Sequence, residues 1–291
     1  MSTGVIATCC GLSDRSAREE SMEGSSGAVW THEVVTDHVV TFRLGRVGAS
    51  RVAEWPGLAT LTCRNDGTGV SLVPVAGANP VAVEKLRRGH VQALVGALAG
   101  RLALHASAVG WRGGAVLFLG RSGSGKSTAA AELCIRGGGE LLADDVAMLD
   151  ADAVPVTAQP TEDDHWLTGP SRAVLGVQAG ASPFADTKVA LRALRLASAP
   201  VPLALIVALR FTEQSVRPSV RALSGVSAAY PVLEAILRFD VDEGSARRRE
   251  IEQMSRVHDS APMIELVRNA AQPGSVVEVV EQALAGPGGT W

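Results

Sequence analysis

Gly120-Arg-Ser-Gly-Ser-Gly-Lys-Ser-Thr128 fits the pattern G-x-x-x-x-G-K-[ST] without a gap. Ala115-Val-Leu-Phe-Leu119 before it reads as a buried strand, and Ser127-Thr-Ala-Ala-Ala-Glu-Leu-Cys-Ile135 after it reads as a helix. The glycines therefore fall at a strand-to-helix turn, the context in which this pattern binds phosphate. Gly120, Gly123 and Gly125 let the backbone N–H groups, those of Ser122, Ser124 and Thr128 among them, curl around an anion. Lys126 adds a compact positive charge for the β- and γ-phosphates, and Ser127 offers its hydroxyl to a magnesium ion. The chain contains only three lysines, so a chance match is improbable. The stretch predicts binding of ATP with Mg2+.

Upstream, Leu102-Ala-Leu-His-Ala-Ser-Ala-Val109 and Gly114-Ala-Val-Leu-Phe-Leu119 read as two antiparallel strands joined by Gly-Trp-Arg-Gly-Gly. A turn centred near Arg112 would set His105 across from about Leu119, at the mouth of the loop, for a catalytic or orienting role. A core histidine satisfied by backbone is the alternative. Downstream, Leu141-Leu-Ala-Asp-Asp-Val-Ala-Met-Leu149 is an apolar strand interrupted by Asp144 and Asp145. Ligands of open α/β sheets gather at the carboxyl ends of strands, and neighbouring strand residues point to opposite faces. On that reading Asp144 faces the γ-phosphate and the acceptor, while Asp145 reaches the metal or a hydrogen-bond partner. A turn-forming Asp pair is the alternative.

Leu-His-Ala-Ser-Ala-Val at 104–109, Leu-Gly-Arg-Ser-Gly-Ser-Gly-Lys-Ser-Thr at 119–128, Arg136-Gly137 and Leu-Leu-Ala-Asp-Asp-Val at 141–146 together resemble the HPr kinase/phosphorylase family. The resemblance is strong over about residues 100–150. It implies an α/β P-loop kinase core like the nucleotide domain of phosphoenolpyruvate carboxykinase, here preceded by a small β-rich subdomain. It also implies transfer of the γ-phosphoryl group of ATP to a serine of a partner protein. The family's roles imply Asp144 as general base, His105 and Asp145 as its supports, Lys126 on the phosphates and Ser127 on magnesium. Shortened relatives of this type are associated with peptide natural-product clusters, which implies a precursor peptide as acceptor.

The remaining chain divides by composition. Residues 1–29 mix Ser, Gly, Glu and Arg without periodicity and read as a disordered leader. Residues 30–78 form the β-rich subdomain, with segments at 34–42, 51–55, 59–63 and 69–73 separated by Gly, Pro and Asn-Asp-Gly turns. Asn79-Pro80 opens a connecting helix that runs to Gly100 and begins a nucleotide-binding and catalytic domain over 79–285, followed by a loose tail at 286–291. Within that domain residues 157–200 are expected to shape the acceptor side. Glu162, Asp163 and Asp164 read as a solvated acidic loop, with a metal contact as the alternative. Lys188, in a segment read as a flexible loop, is a tentative phosphate or substrate contact.

A net charge of −3 with scattered arginines argues against a nucleic-acid partner. The longest apolar run, Val201–Leu209, is too short to span a bilayer, and the N-terminus has no secretory pattern, so a cytoplasmic protein with no membrane partner is expected. Cys9, Cys10, Cys63 and Cys134 have neither metal-ligand spacing nor a disulfide framework and read as reduced thiols. A homo-oligomer is compatible with the sequence. The leading expectation is an ATP-dependent serine kinase acting on a peptide or small protein. A regulatory or assembly ATPase without an acceptor, and a small-molecule hydroxyl kinase, are the alternatives.

Overall fold

Strands and turns alternate through the N-terminal part in the computed structural model, which describes residues 27–37, 39–178, 188–212, 217–239, 244–269 and 275–285. β1 Val29–Thr36, β2 Val39–Val47, β3 Ser50–Trp55, β4 Ala59–Arg64 and β5 Ser71–Pro74 form an antiparallel meander in chain order. The stretch 34–42, read above as one strand, is a hairpin: Thr36 pairs with Val39, and Asp37 has a φ of 50°. A left-handed conformation is one that Asp tolerates better than most residues, so the turn needs no glycine. The leader falls outside the described residues up to residue 26, as does the tail from 286.

Asn79 caps α1 Pro80–Leu86 as expected, its side chain accepting from the N–H of Val81 at 2.9 Å and of Ala82 at 3.4 Å. The helix then continues through a π turn at Arg87–Val91 into α2 Gln92–Leu98. An i→i+5 turn brings Val91, rather than residue 90, beneath Leu86. Leu86, Val91 and Leu94 consequently share one face, packed with Leu44, Trp55, Ala59 and Leu61 of the meander. This packing moves the expected boundary. The chain separates after Arg101, not after residue 78, into a unit of β1–β5, α1, α2 and residues 237–246, and a unit of residues 102–236 with the chain from Arg247 onward.

The second unit is built on a mixed nine-stranded sheet among the described residues. Its strands are β6 Leu102–His105, β7 Ser107–Trp111, β8 Gly114–Leu119, β9 Glu140–Ala143, β10 Val146–Asp150, β11 Thr157–Gln159, and three later ones. A separate pair, β12 Asp164–Thr168 and β13 Lys188–Arg192, lies off this sheet. The later strands are β14 Val201–Thr212, β15 Ser219–Leu223 and β16 Met263–Asn269. β8 and β16 both run parallel to β14. The helices are α3 Lys126–Ile135, α4 Gly169–Leu175, α5 Val226–Ala235, α6 Gly244–Ser260 and α7 Val276–Leu284.

The unbroken apolar run 115–119 now has its reason: β8 is covered on both faces. Ala115, Leu117 and Leu119 pack toward Ala228 and Val232 of α5 and Val257 of α6, while Val116 and Phe118 pack toward Ala129, Ala130 and Leu133 of α3 and Val276 and Val280 of α7. The mixed α/β class expected from the sequence is what this layering shows. α5 stops at Ala235, because Ile236 turns extended and bridges to Leu104.

One buried ion pair fixes α3 from behind. Glu132 accepts a bond from the N–H of Val276, the first residue of α7, at 2.9 Å, and its other oxygen lies 3.3 Å from Nη2 of Arg268 on β16. Both side chains are almost fully enclosed. Removing one member of such a pair leaves charge and backbone polarity without compensation. Glu132→Ala should therefore lower stability to urea by about 3 kcal/mol, and a loss within the few tenths typical of surface changes would contradict this account of the anchor.

Candidate active site

The glycine-rich loop begins where β8 ends. β7 and β8 are joined by a two-residue turn, Arg112 and Gly113, both at positive φ, with Trp111 paired to Gly114 and Ser107 to Phe118. The loop rises from Leu119 with Gly120 at a φ of 143°, Gly123 at 82° and Gly125 at 93°. A Cβ on Gly120 would stand 2.5 Å from the carbonyl oxygen of Leu209 and 2.6 Å from Oγ of Ser124, so only glycine fits there. α3 starts at Lys126, directly after the left-handed Gly125, which places Ser127 and Thr128 in its first turn.

Lys126 does not extend into solvent. Its Nζ donates to the carbonyl of Gly120 at 2.7 Å and of Arg121 at 3.3 Å, and lies 3.1 Å from Nε2 of His105. An ammonium only donates, so Nε2 accepts and the ring proton belongs on Nδ1. There it faces the backbone oxygen of Asp145 at 3.2 Å and the carboxylate Oδ1 of Asp145 at 3.4 Å. Burial, then the charge of Lys126, holds the His105 pKa below its usual value against the opposing pull of Asp145, which agrees with the neutral ring this geometry requires. Burial also pushes Lys126 down to about 8, with Asp145 opposing.

His105 thus stands beside the loop, but by a different route from the expected hairpin. The strand 102–109 breaks at Ala106: β7 continues with β8, whereas β6 pairs with β10, and His105 stands opposite Val146. The strand 141–149 breaks in the same way. β9 pairs with β7, β10 pairs with β6 and β11, and Asp144-Asp145 is the bend between them.

That bend reverses the expected facing of the two carboxylates. Asp144 is enclosed: its Oδ2 accepts from the N–H of Trp166 at 2.9 Å, and its Oδ1 lies 3.7 Å from Nδ1 of the equally buried His165. Asp145, with its side chain 23% exposed, faces His105 and the loop. The residue expected to meet the acceptor therefore points into the protein, because β12 supplies it a backbone donor there.

Glu162 holds the bend. Its Oε2 accepts from the N–H groups of Asp144 at 3.0 Å and Asp145 at 3.2 Å, and its Oε1 from that of Val146 at 3.3 Å. It is buried, and not part of a solvated loop. The N–H of Thr161 and its own N–H both donate to the carbonyl of Leu142, locking it across the break between β9 and β10. Burial, followed by the nearby Asp144 and Asp145, pushes its carboxyl up to about 8 despite those backbone donors. Asp163 pairs with Arg192 at 2.8 Å, and Asp164 lies 3.8 Å from the same guanidinium.

Lys188 opens β13, in register with Thr168, where a flexible loop was expected; residues 179–187 lie outside the described residues. It is close enough for its charge to oppose protonation of both His105 and Lys126. Glu162 was read in the sequence as part of a solvated loop, and His165 and the hydroxyl pair Thr168 and Ser171 were missed there. Nothing local marks a carboxylate that binds amides sixteen to eighteen residues away.

Among the described residues no group of three or more His, Cys, Asp or Glu is arranged to hold a metal ion. Ser127 is half-buried in the first turn of α3, and Asp145 is partly exposed beside His105. The described cysteines, Cys63 and Cys134, are buried free thiols, and burial pushes Cys134 up to about 12. No helix among the described residues is long and apolar enough to cross a membrane.

The sequence matches no family model and no curated protein. Among solved structures, the HPr(Ser) kinase/phosphatase from Coxiella burnetii is similar over 63% of this chain and 93% of that one, at 12% identity and a TM-score of 0.29. A likeness so loose decides neither topology nor activity.

The clamp gives a signed pH dependence. With its carboxyl raised from 4.5 to about 8, Glu162 contributes stability that is complete below about pH 4.5 and is lost as pH rises through 8. Relative to Glu162→Gln, urea stability of the parent should fall by up to about 1.4 kcal/mol per pH unit between those limits. Identical pH slopes for the two proteins would refute the assignment.

Proposed function

We propose that this chain is a phosphotransferase that moves the γ-phosphoryl group of Mg-ATP to a hydroxyl, with a serine of a peptide or small protein as the acceptor class. The observation that supports this reading is the line Asp145, His105, Lys126: a partly exposed carboxylate, a neutral imidazole and a desolvated ammonium in consecutive contact at the mouth of the glycine-rich loop. Phosphoryl transfer asks of a protein mainly position and charge, and these groups are placed to supply both.

In this reading Lys126, now bonded to two loop carbonyls, turns to the phosphates, and the loop N–H groups bind their oxygens. Ser127 and Asp145 would hold magnesium, which neutralises charge developing on the phosphates. Asp145 also receives the proton of the acceptor hydroxyl, the role that the resemblance implied for Asp144. His105 fixes the Asp145 backbone and carboxylate from one side, and Glu162 fixes the same residue from the other through its N–H. Asp144 becomes a positioning residue that ties the bend to β12.

Two outcomes are expected. Asp145→Asn should reduce transfer to serine peptides at least about a hundredfold while ATP binding persists, as measured by phosphopeptide mass spectrometry and calorimetry. Transfer at the parent rate in that variant, or equal ATP turnover with and without every acceptor, would contradict the reading. Because Lys126 titrates near 8 and phosphate binds its charged form, ATP affinity should be about tenfold weaker at pH 9 than at pH 7. A flat profile in fluorescence titration would remove Lys126 from the phosphate site.

A further inference from the structure

α3 and α4 lie side by side with their N-termini at the same end. At that end Oγ1 of Thr128 donates to Oγ of Ser171 at 2.7 Å, and that Oγ is joined in turn to Oγ1 of the cap residue Thr168 at 2.9 Å. At the other end Nη2 of Arg136 donates to the carbonyl of Val174 at 2.8 Å. Leu167 and Leu175 fill the space against Ala131 and Ile135. α4 is therefore held rigidly against the helix that carries Lys126, Ser127 and Thr128.

Arg172 follows Ser171 in the first turn of α4. Helical side chains lean toward the N-terminus, and this one doubles back until Nη2 lies 3.9 Å from where a Cβ on Gly169 would stand. The guanidinium is thereby carried to the end of α4 that adjoins the loop. Its Nε is shut off from solvent and has no hydrogen-bond partner, and no carboxylate among the described residues forms an ion pair with it. A half-buried, always-charged donor without an acceptor is costly unless a ligand completes it. Two more cations approach the same end: Lys188, paired in register with Thr168, and Lys126 in the loop, whose charges act on one another. The charges of Lys126 and Lys188 act on one another, a pair that suits a multiply charged anion, and the planar fork of arginine suits phosphate oxygens.

We propose that Arg172 is a phosphate-binding residue of this site, donating to the polyphosphate chain of the bound nucleoside triphosphate opposite Lys126. The proposal rests on the reading of residues 120–128 as a triphosphate loop. A phosphate ligand is favoured over an anionic acceptor because the Thr128–Ser171 bond fixes Arg172 relative to the loop itself.

The test is calorimetric titration of the full chain and its Arg172→Ala and Arg172→Lys variants with Mg-ATP and with inorganic tripolyphosphate, beside ligand-free thermal unfolding of each. Arg172→Ala should bind both ligands at least about tenfold more weakly. Arg172→Lys should recover part of that loss, with the ligand-free melting temperature no lower than that of the parent. Should Arg172→Ala fail to fold, Arg172→Lys decides, since losing the fork must still weaken both ligands. Parent-like binding in the folded variants would overturn the inference while leaving the loop assignment intact. So would weaker ATP binding with tripolyphosphate unaffected, or unchanged ATP binding with a raised KM for the acceptor. A folded parent that binds neither ligand would overturn the loop assignment and this inference together.

Discussion

The carboxyl of Glu162, seated on the N–H groups of residues 144 to 146, is the contact on which the geometry of the site depends. Without it the break between β9 and β10 would leave three adjacent backbone donors in a buried region with no acceptor, an expensive arrangement. With it, the bend is fixed and its two carboxylates are sent to opposite sides. Asp144 goes inward to the N–H of Trp166, and Asp145 outward to His105. The same break frees β6 to pair with β10, and that pairing is what brings His105 to Lys126.

Behind the loop the requirement is rigidity. A loop whose N–H groups must point at one place gains from a helix that cannot shift, and α3 is held on three sides. Glu132 ties it to β16 and α7, Thr128 and Arg136 tie it to α4, and Ala129, Ala130 and Leu133 pack it on the sheet. The position of α3 is thereby built from ordinary packing and a few buried hydrogen bonds.

Much of the glycine-rich loop and of the elements around it was legible because the signals are local. The run 115–119, the glycines at 120, 123 and 125, the alanine-rich start of α3 and the Asn79 cap each act within a few residues, and each appears where the pattern puts it. The errors share another origin. Residues 34–42, 102–109 and 141–149 each read as one strand, and each is two, because strand pairing and not composition decides where an apolar run changes partner. The facing of Asp144 and Asp145 followed the period of an unbroken strand and inverted once the strand broke. Glu162, His165 and Arg172 had no local signature, since their meaning lies in residues that only folding brings near. The helix 80–98 was found, but its π turn and its packing on β1–β5 depend on a tertiary contact at Val91.

The most direct test of the account is a crystal structure with magnesium and a non-hydrolysable ATP analogue. The account expects the triphosphate within the N–H groups of residues 120–128, Lys126 released from the carbonyl of Gly120 onto the phosphates, and the carboxylate of Asp145, not Asp144, on the side of the terminal phosphate. A triphosphate bound elsewhere, or Asp144 turned out of its contact with Trp166 to face the terminal phosphate in place of Asp145, would contradict it.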